Sequence, residues 1–325
     1  TKNFDTAEAV AVIDKLLKED FFNADLFTTT NDFQLLQQND KVKINTKSAS
    51  HTNIKTQQHD KQKQRIIKAT NNIYLHKLGI TTNDGVVKKE MQDKYKQINR
   101  YTEIIDGIIK ELQFNGVINV VDMGSGKGYL TFALYDYLTN TLQQKANITG
   151  IEMRPDLVTI CNQIAATASF TDLHFEKGTI ADAKLSSPNI LIALHACDTA
   201  TDDAIYKGID ANAKVIIVAP CCHKQIRRQV NPDNVLSAIT KHGILLERQA
   251  EMVTDTIRAL LLEANGYKTK VFEFINTEHT PKNVMIVGVK NENPIDKREE
   301  NLEKVKELKA MFNIEQHYLE KLLGV

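Results

Sequence analysis

Cysteine, net charge and long hydrophobic runs are scarce in this sequence, and each scarcity narrows what the chain can be. The four cysteines, Cys161, Cys197, Cys221 and Cys222, form no C-x-x-C pair. That spacing argues against a disulfide scaffold and for a reducing compartment. Forty-one basic residues balance 41 acidic ones, so overall charge names no partner, and a nucleic-acid ligand needs a local basic patch. No run is apolar and long enough to span a bilayer. Asp5, Glu8, Asp14 and Lys15 break up the apolar residues of the first segment, which argues against a secretory signal there. The expected setting is cytoplasmic. Apolar residues still make up 42% of 325 positions, enough for a sizeable core, and the length points to more than one unit.

The stretch that organises the rest is GVINVVDMGSGKGYLTFALYDYL, residues 116–138. Val117, Ile118, Val120 and Val121 read as a buried strand. Glycine then recurs at Gly124, Gly126 and Gly128, and Leu130, Ala133, Leu134, Tyr137 and Leu138 mark one face of a helix. Strand, glycine loop and helix is the arrangement in which a nucleotide-like ligand sits over the strand's carboxyl end. A dinucleotide fingerprint is G-x-G-x-x-G. Here the pattern is Asp122-x-Gly-x-Gly-x-Gly, which resembles motif I of class I S-adenosylmethionine (SAM) methyltransferases. In that reading Asp122 faces the cationic amino-acid moiety, and Gly124, Ser125, Gly126, Gly128 and Tyr129 cradle the ligand.

Glu152 ends the next strand, NITGIE. A carboxylate there can accept both hydroxyls of a ribose. Thr179 and Ile180 follow a third strand, where the adenine would rest, and Leu194 ends a fourth. Asp182 is a candidate partner for the adenine amino group, with helix capping as the alternative. Residues 189–194 and 214–219 read as the fourth and fifth strands, and 268–275 with 284–289 as a closing antiparallel hairpin. The fold expected is α/β: a doubly wound, seven-stranded Rossmann-like sheet with its last strand antiparallel. An N-terminal helical extension (1–88) precedes the domain (89–290), and an amphipathic helix (291–325) follows it. Within the extension, residues 1–44 read as helical and 45–64 as a polar loop. Lys41, Lys43, Lys47, Lys55, Lys61, Lys63, Arg65 and Lys68 face only Asp60 there. A solvated loop is the plain reading of this basic stretch, and an RNA phosphate-contacting arm the sharper one.

Chemistry is expected just beyond strands four and five, which look onto the ligand crevice. His195, Cys197 and Asp198 follow the one, and Cys221, Cys222 and His223 the other. Asn/Asp-Pro-Pro-aromatic, usual where a base's exocyclic amine is methylated, is absent. No Lys-Asp-Lys-Glu set for ribose methylation can be assembled. Three readings of the cluster stay open. His195 or Asp198 deprotonates an acceptor, a cysteine thiolate attacks a pyrimidine carbon, or thiols and imidazoles bind zinc. Buried thiols that merely pack are the structural alternative. The first is preferred, with no metal.

VVDMGSGKGYLTFAL, ALHACDTATDDAI, APCCHKQI and HTPKN together resemble a methyltransferase-domain family. That family includes bacterial proteins of unknown substrate, a eukaryotic glutathione-transferase-like protein and proteins named after rRNA adenine dimethylases. More distantly, the chain is similar to the tRNA ribose methyltransferase of the acceptor stem. The resemblance covers roughly residues 59–290. It implies SAM as cofactor, RNA as acceptor, and Thr201, Asp202, Cys221 and His279 as further site candidates beside His195, Cys197, Cys222 and His223. Small-molecule or protein methylation, and SAM binding without catalysis, are the alternatives.

Overall fold

Asp5 opens the first helix: its carboxylate accepts the Glu8 amide at 2.8 Å, and α1 runs Thr6–Glu19. The structure, a computed structural model, describes residues 4–38, 41–52, 65–112, 114–194, 196–274, 283–292 and 297–325. It divides into two compact units, 1–64 and 65–325. Residues 65–88 and 297–325, set apart in the sequence reading, therefore belong to the second unit.

The first unit corrects the expectation of an all-helical extension. After α1 come three strands, β1 (Asn23–Phe27), β2 (Asn31–Gln38) and β3 (Lys41–Ser48), paired as an antiparallel meander in that order. The Thr28 hydroxyl accepts the Asn31 amide at 3.0 Å in the first turn. The missed signal is alternation. In KVKINTKS, Val42, Ile44 and Thr46 share one strand face, while Lys41, Lys43 and Lys47 share the other. The first four residues of the expected polar loop, 45–48, are thus strand, and residues 53–64 lie outside the described residues.

The second unit is built on a seven-stranded sheet. Its strands are β4 (Ile118–Met123), β5 (Ala146–Glu152), β6 (Leu173–Lys177), β7 (Ile190–Ala193), β8 (Val215–Val218), β9 (Tyr267–Glu273) and β10 (Val284–Lys290). Their order is β6-β5-β4-β7-β8-β10-β9. The first five are parallel, and β10 is antiparallel to both of its neighbours, as expected. Every residue of β7 and β8 is buried, the signature of central strands covered on both faces. Ile190, Ile192, Val215 and Ile217 pack into one core cluster, and Leu191, Ala193, Ile216 and Val218 into the other, following the two-residue pleat.

Helices α2 (Ile73–Lys77), α3 (Gln92–Leu112), α4 (Tyr129–Asp136) and α5 (Pro155–Thr167) come before β7. Helices α6 (Thr199–Asp210), α7 (Lys224–Arg227), α8 (Ser237–Thr240) and α9 (Gly243–Ala264) follow it. The single C-terminal helix expected is in fact two, α10 (Arg298–Phe312) and α11 (Tyr318–Leu323). Asn313 breaks them with φ 55°, the left-handed conformation that asparagine tolerates at a helix end. Val305, Phe312 and Leu319 bury themselves in the second core cluster, so this segment packs on the sheet domain. Among the described residues, no helix is long and apolar enough to cross a membrane.

Strand order reverses between β4 and β7. At such a switch point the two flanking connections leave the sheet in opposite directions and open a crevice beyond the strands' carboxyl ends.

Candidate active site

The crevice is real, and the glycine loop forms its floor. Gly124 and Gly126 have φ 72° and 59°, a backbone conformation that side chains with a Cβ rarely hold. The loop is tied to β5: the Gly124 and Ser125 amides donate to the Ile151 carbonyl at 2.8 and 3.0 Å. Above it lies a cavity of about 610 Å³, inside the range of roughly 300–1,000 Å³ typical of small-ligand sites. Asp122, Gly124, Ser125, Gly126, Tyr129, Glu152, Thr179, Ile180, Leu194 and Cys197 all line it. Gly128 does not. A Cβ there would stand 3.0 Å from Phe132 and Phe175, so this glycine serves close packing of helix on sheet.

Glu152 is held in place by its own chain. Its Oε2 accepts the Gly126 amide at 2.8 Å, and its Oε1 accepts the Arg154 backbone and Nε donors at 3.0 and 2.9 Å. Burial works against ionisation, but the hydrogen bonds from Arg154 and Gly126 outweigh it and hold the carboxyl below its usual range. Oε2 keeps a lone pair for a donor from the cavity, whereas Arg154 takes both of those on Oε1.

Asp122 behaves in the opposite way. Burial pushes it up to about 7, only partly offset by the Thr131 hydroxyl, which donates to Oδ2 at 2.6 Å. A cation arriving beside it would restore the charged form. Lys94, from α3, also lines the cavity, and burial lowers its pKa. The Ser125 hydroxyl is buried without a protein partner among the described residues. Three cations (Lys94, Lys127 and Arg154), three carboxylates (Asp122, Glu152 and Asp203) and an orphaned hydroxyl line the cavity, a mixture of charges that suits a zwitterionic nucleoside. The residues therefore fit SAM, whose sugar, ammonium and carboxylate need those partners.

Beyond β7 and β8 the expected catalytic candidates separate. His195 and His279 lie outside the described residues. Asp198 is not in the cavity wall; its Oδ1 accepts the Gln225 amide at 3.1 Å, and its φ of 54° marks a tight bend into α6. His223 is buried beneath the site, with Nε2 3.1 Å from Asp255 Oδ1. Asp255 in turn meets Arg258, whose Nε and Nη2 donate to the Asp202 carboxylate at 2.7 and 3.2 Å and whose Nη2 also donates to the Asp198 carbonyl at 3.0 Å. The Thr201 hydroxyl donates to the Ala196 carbonyl at 2.7 Å. Thr201, Asp202 and His223 thus brace the loop below the crevice. Asp182 is capped by Thr179, whose hydroxyl donates to it at 2.6 Å, and it does not line the cavity.

The cysteines do come together. The Cys221 and Cys222 sulfurs are 3.7 Å apart, and Cys197 joins them. Its thiol is pushed up to about 12, first by a hydrogen bond with Cys222, then by burial and the neighbouring sulfurs. Sequence reasoning missed Asp203, the carboxylate that α6 does place in the cavity wall. Burial raises its pKa, partly offset by the Tyr318 hydroxyl, which donates at 3.2 Å, and by Lys207. It also missed Lys94 and Arg154. Acid and base residues on exposed helix ends are too common for any of these to signal a site before the fold is known.

Residues 93–229 match the model of a family described as a methyltransferase domain. A glutathione S-transferase C-terminal domain-containing protein of Xenopus laevis is 25% identical over 219 residues, 60% of this chain. The match spans 34% of that relative's length. Solved structures that resemble the chain include the following two. Magnesium protoporphyrin IX methyltransferase from Synechocystis PCC 6803 with bound SAH is 14% identical, covering 67% of this chain and 93% of its own, with TM-score 0.43. M. jannaschii TYW2 in complex with AdoMet is 16% identical, covering 61% and 75%, with TM-score 0.38. Residues 93–229 thus resemble a methyltransferase domain, and the lining of the crevice fits S-adenosylmethionine as cofactor.

Proposed function

We propose that this chain is a SAM-dependent methyltransferase that methylates RNA. The observation that carries the donor half is the Gly126–Glu152 clasp over a 610 Å³ cavity. When bound, SAM supplies a sulfonium-activated methyl group, the electrophile of an in-line displacement. Glu152 Oε2 would accept a ribose hydroxyl, Asp122 would face the ammonium, and Lys94 would meet the carboxylate. Asp203, which lines the cavity as Cys197 does, is the base that takes the proton of the attacking acceptor. Its raised pKa brings a carboxylate closer to the operating pH, where proton transfer is most effective. Positioning and exclusion of water supply much of the remaining acceleration.

An anionic acceptor is favoured by charge beside the crevice. Lys224, Arg227 and Arg228 line a second cavity of about 220 Å³ together with Cys222, His223 and Glu247. Three cations face one carboxylate, and Arg227 engages that carboxylate at 2.7 Å. In the first unit, Lys41, Lys43 and Lys47 are exposed on one face of β3. Phosphate contacts are what such lysines provide, and the resemblance of the sequence to RNA methyltransferases points the same way. Lys55, Lys61 and Lys63 of the basic stretch lie outside the described residues.

The test is transfer of tritium from methyl-labelled SAM into a fractionated cell extract. Label that appears in RNA and is released by ribonuclease is the expected result. Label confined to protein or to small molecules would overturn the RNA assignment while leaving the donor site intact. Asp203→Asn should bind SAM normally and lose turnover.

A further inference from the structure

Parallel pairing of β7 with β8 sets Ala193 against Val218. Four residues beyond each partner stand Cys197 and Cys222, so the sheet's register delivers them to the same level of the crevice rim. Cys221 sits beside Cys222 in the irregular segment after β8, where no pleat forces neighbouring side chains to opposite faces. The consequence is visible in the sulfurs. Among the described residues, the donors that lie mutually within 4.8 Å are the Sγ atoms of Cys197, Cys221 and Cys222.

Adjacent cysteines ordinarily make a poor chelating pair, because in an extended strand they point apart. Here that objection fails. Two sulfurs each about 2.3 Å from a tetrahedral ion stand roughly 3.8 Å apart, and the Cys221–Cys222 separation is 3.7 Å. Cys197 is exposed and the other two half-buried, so an ion can reach them from solvent. Soft thiolates select zinc over magnesium or calcium, which take oxygen.

We propose that Cys197, Cys221 and Cys222 hold one zinc ion in a three-thiolate site at the rim of the crevice. Binding releases three thiol protons to solvent and leaves a complex of net charge minus one. Three protein ligands leave the fourth position for water or an acceptor atom, the coordination of reactive rather than purely structural zinc sites. Cys197 belongs both to this site and to the wall of the larger cavity, so the ion would also pin the loop that borders the cofactor.

The full chain, kept reduced with a phosphine and freed of metal by chelator dialysis, is titrated with cobalt(II) and then with zinc(II). One equivalent of cobalt should give thiolate-to-metal charge-transfer absorption and the visible bands of tetrahedral coordination, and one equivalent of zinc should abolish them. Cys197→Ser, Cys221→Ser and Cys222→Ser should each weaken binding about 100-fold or more, since even outer-shell losses cost 10–100-fold. Cys161→Ala, at a buried cysteine of the first core cluster that is not part of the trio, should bind as the wild type does. Circular dichroism confirms that each variant is folded. Absence of the charge-transfer band in the folded wild type, or its survival in the Cys197, Cys221 and Cys222 variants, overturns the proposal. The readout is independent of methyl transfer, so it stands or falls separately from the donor and acceptor assignments.

Discussion

Replacing Asp122 by asparagine should strengthen the fold and weaken the ligand site at once. Asp122 is buried and its pKa rises from an ordinary 3.8 to about 7. Between those values the folded chain holds a proton that the unfolded chain has lost, so stability falls as pH rises across that window. Above pH 7 the cost is fully present, about 4 kcal/mol at 1.36 kcal/mol per tenfold change. Asparagine carries no such cost. Its amide N–H groups need new partners, which takes back about 1–2 kcal/mol. The variant should therefore be more stable than wild type by about 2–3 kcal/mol at pH 8, raising Tm by roughly 4–10 °C. At pH 5 the advantage should shrink to near zero, because the wild-type carboxyl is then protonated when folded. SAM affinity should move the other way, falling about 10- to 100-fold with loss of a charge-assisted hydrogen bond. Thermal unfolding at the two pH values and calorimetry with SAM measure both. An equal stability change at pH 5 and pH 8 would refute the claim that a desolvated carboxylate sits under the loop.

Four further outcomes follow from the structure. Wild-type affinity for SAM should rise with pH through about 7, as Asp122 ionises; a flat profile in calorimetry between pH 6 and 8 contradicts its role. Arg258→Ala leaves the buried Asp202 and Asp255 carboxylates without their guanidinium, and should cost about 3–5 kcal/mol in urea unfolding. Gly150→Ala drives a Cβ to 2.6 Å from Phe175 and 2.9 Å from the Ser125 hydroxyl. Overpacking of this kind costs about 1–3 kcal/mol, and the melting temperature should drop with it. For the first unit, Lys41→Glu, Lys43→Glu and Lys47→Glu combined should flatten the salt dependence of RNA binding. For every phosphate no longer neutralised, the log–log slope falls by about 0.9 on duplex and 0.7 on single strands, readable by filter binding at several salt concentrations.

Much of the second unit was legible because its signals are local and redundant. VVDMGSGKG carries strand, turn and helix start within a few residues, and the apolar runs of β7 and β8 admit a buried strand more readily than anything else. The antiparallel end of the sheet followed from spacing alone, since two close strands allow no crossover. The first unit was harder. Phe33, Leu35 and Leu36 satisfy a helical spacing as well as a strand, and the alternation in β3 is written in lysines and β-branched residues rather than in large apolar ones. The C-terminal helix was overextended because Asn313, the residue that breaks it, is tolerated inside helices too.

The candidate site was legible where a motif fixes it and opaque where tertiary contacts do. Glu152 and the glycine loop were readable from strand ends. Asp203 and Lys94 enter the cavity only through the packing of α6 and α3, which no local pattern reveals. His223 was placed at the site by its position beyond β8 and Asp202 by resemblance, yet they make contacts with Asp255 and Arg258, more than 30 positions away from them in sequence. The meeting of the three sulfurs depends on strand register, which sequence spacing does not state.

The central claim is that Glu152 and the glycine loop clasp the sugar of a SAM molecule. Calorimetric titration with S-adenosylhomocysteine, which lacks the transferable methyl and so reports binding alone, tests it most directly. The wild type should bind one equivalent, and Glu152→Ala should bind at least about tenfold more weakly, through loss of one charge-assisted hydrogen bond or more. Undetectable binding to the folded wild type, or unchanged affinity in Glu152→Ala, would contradict it.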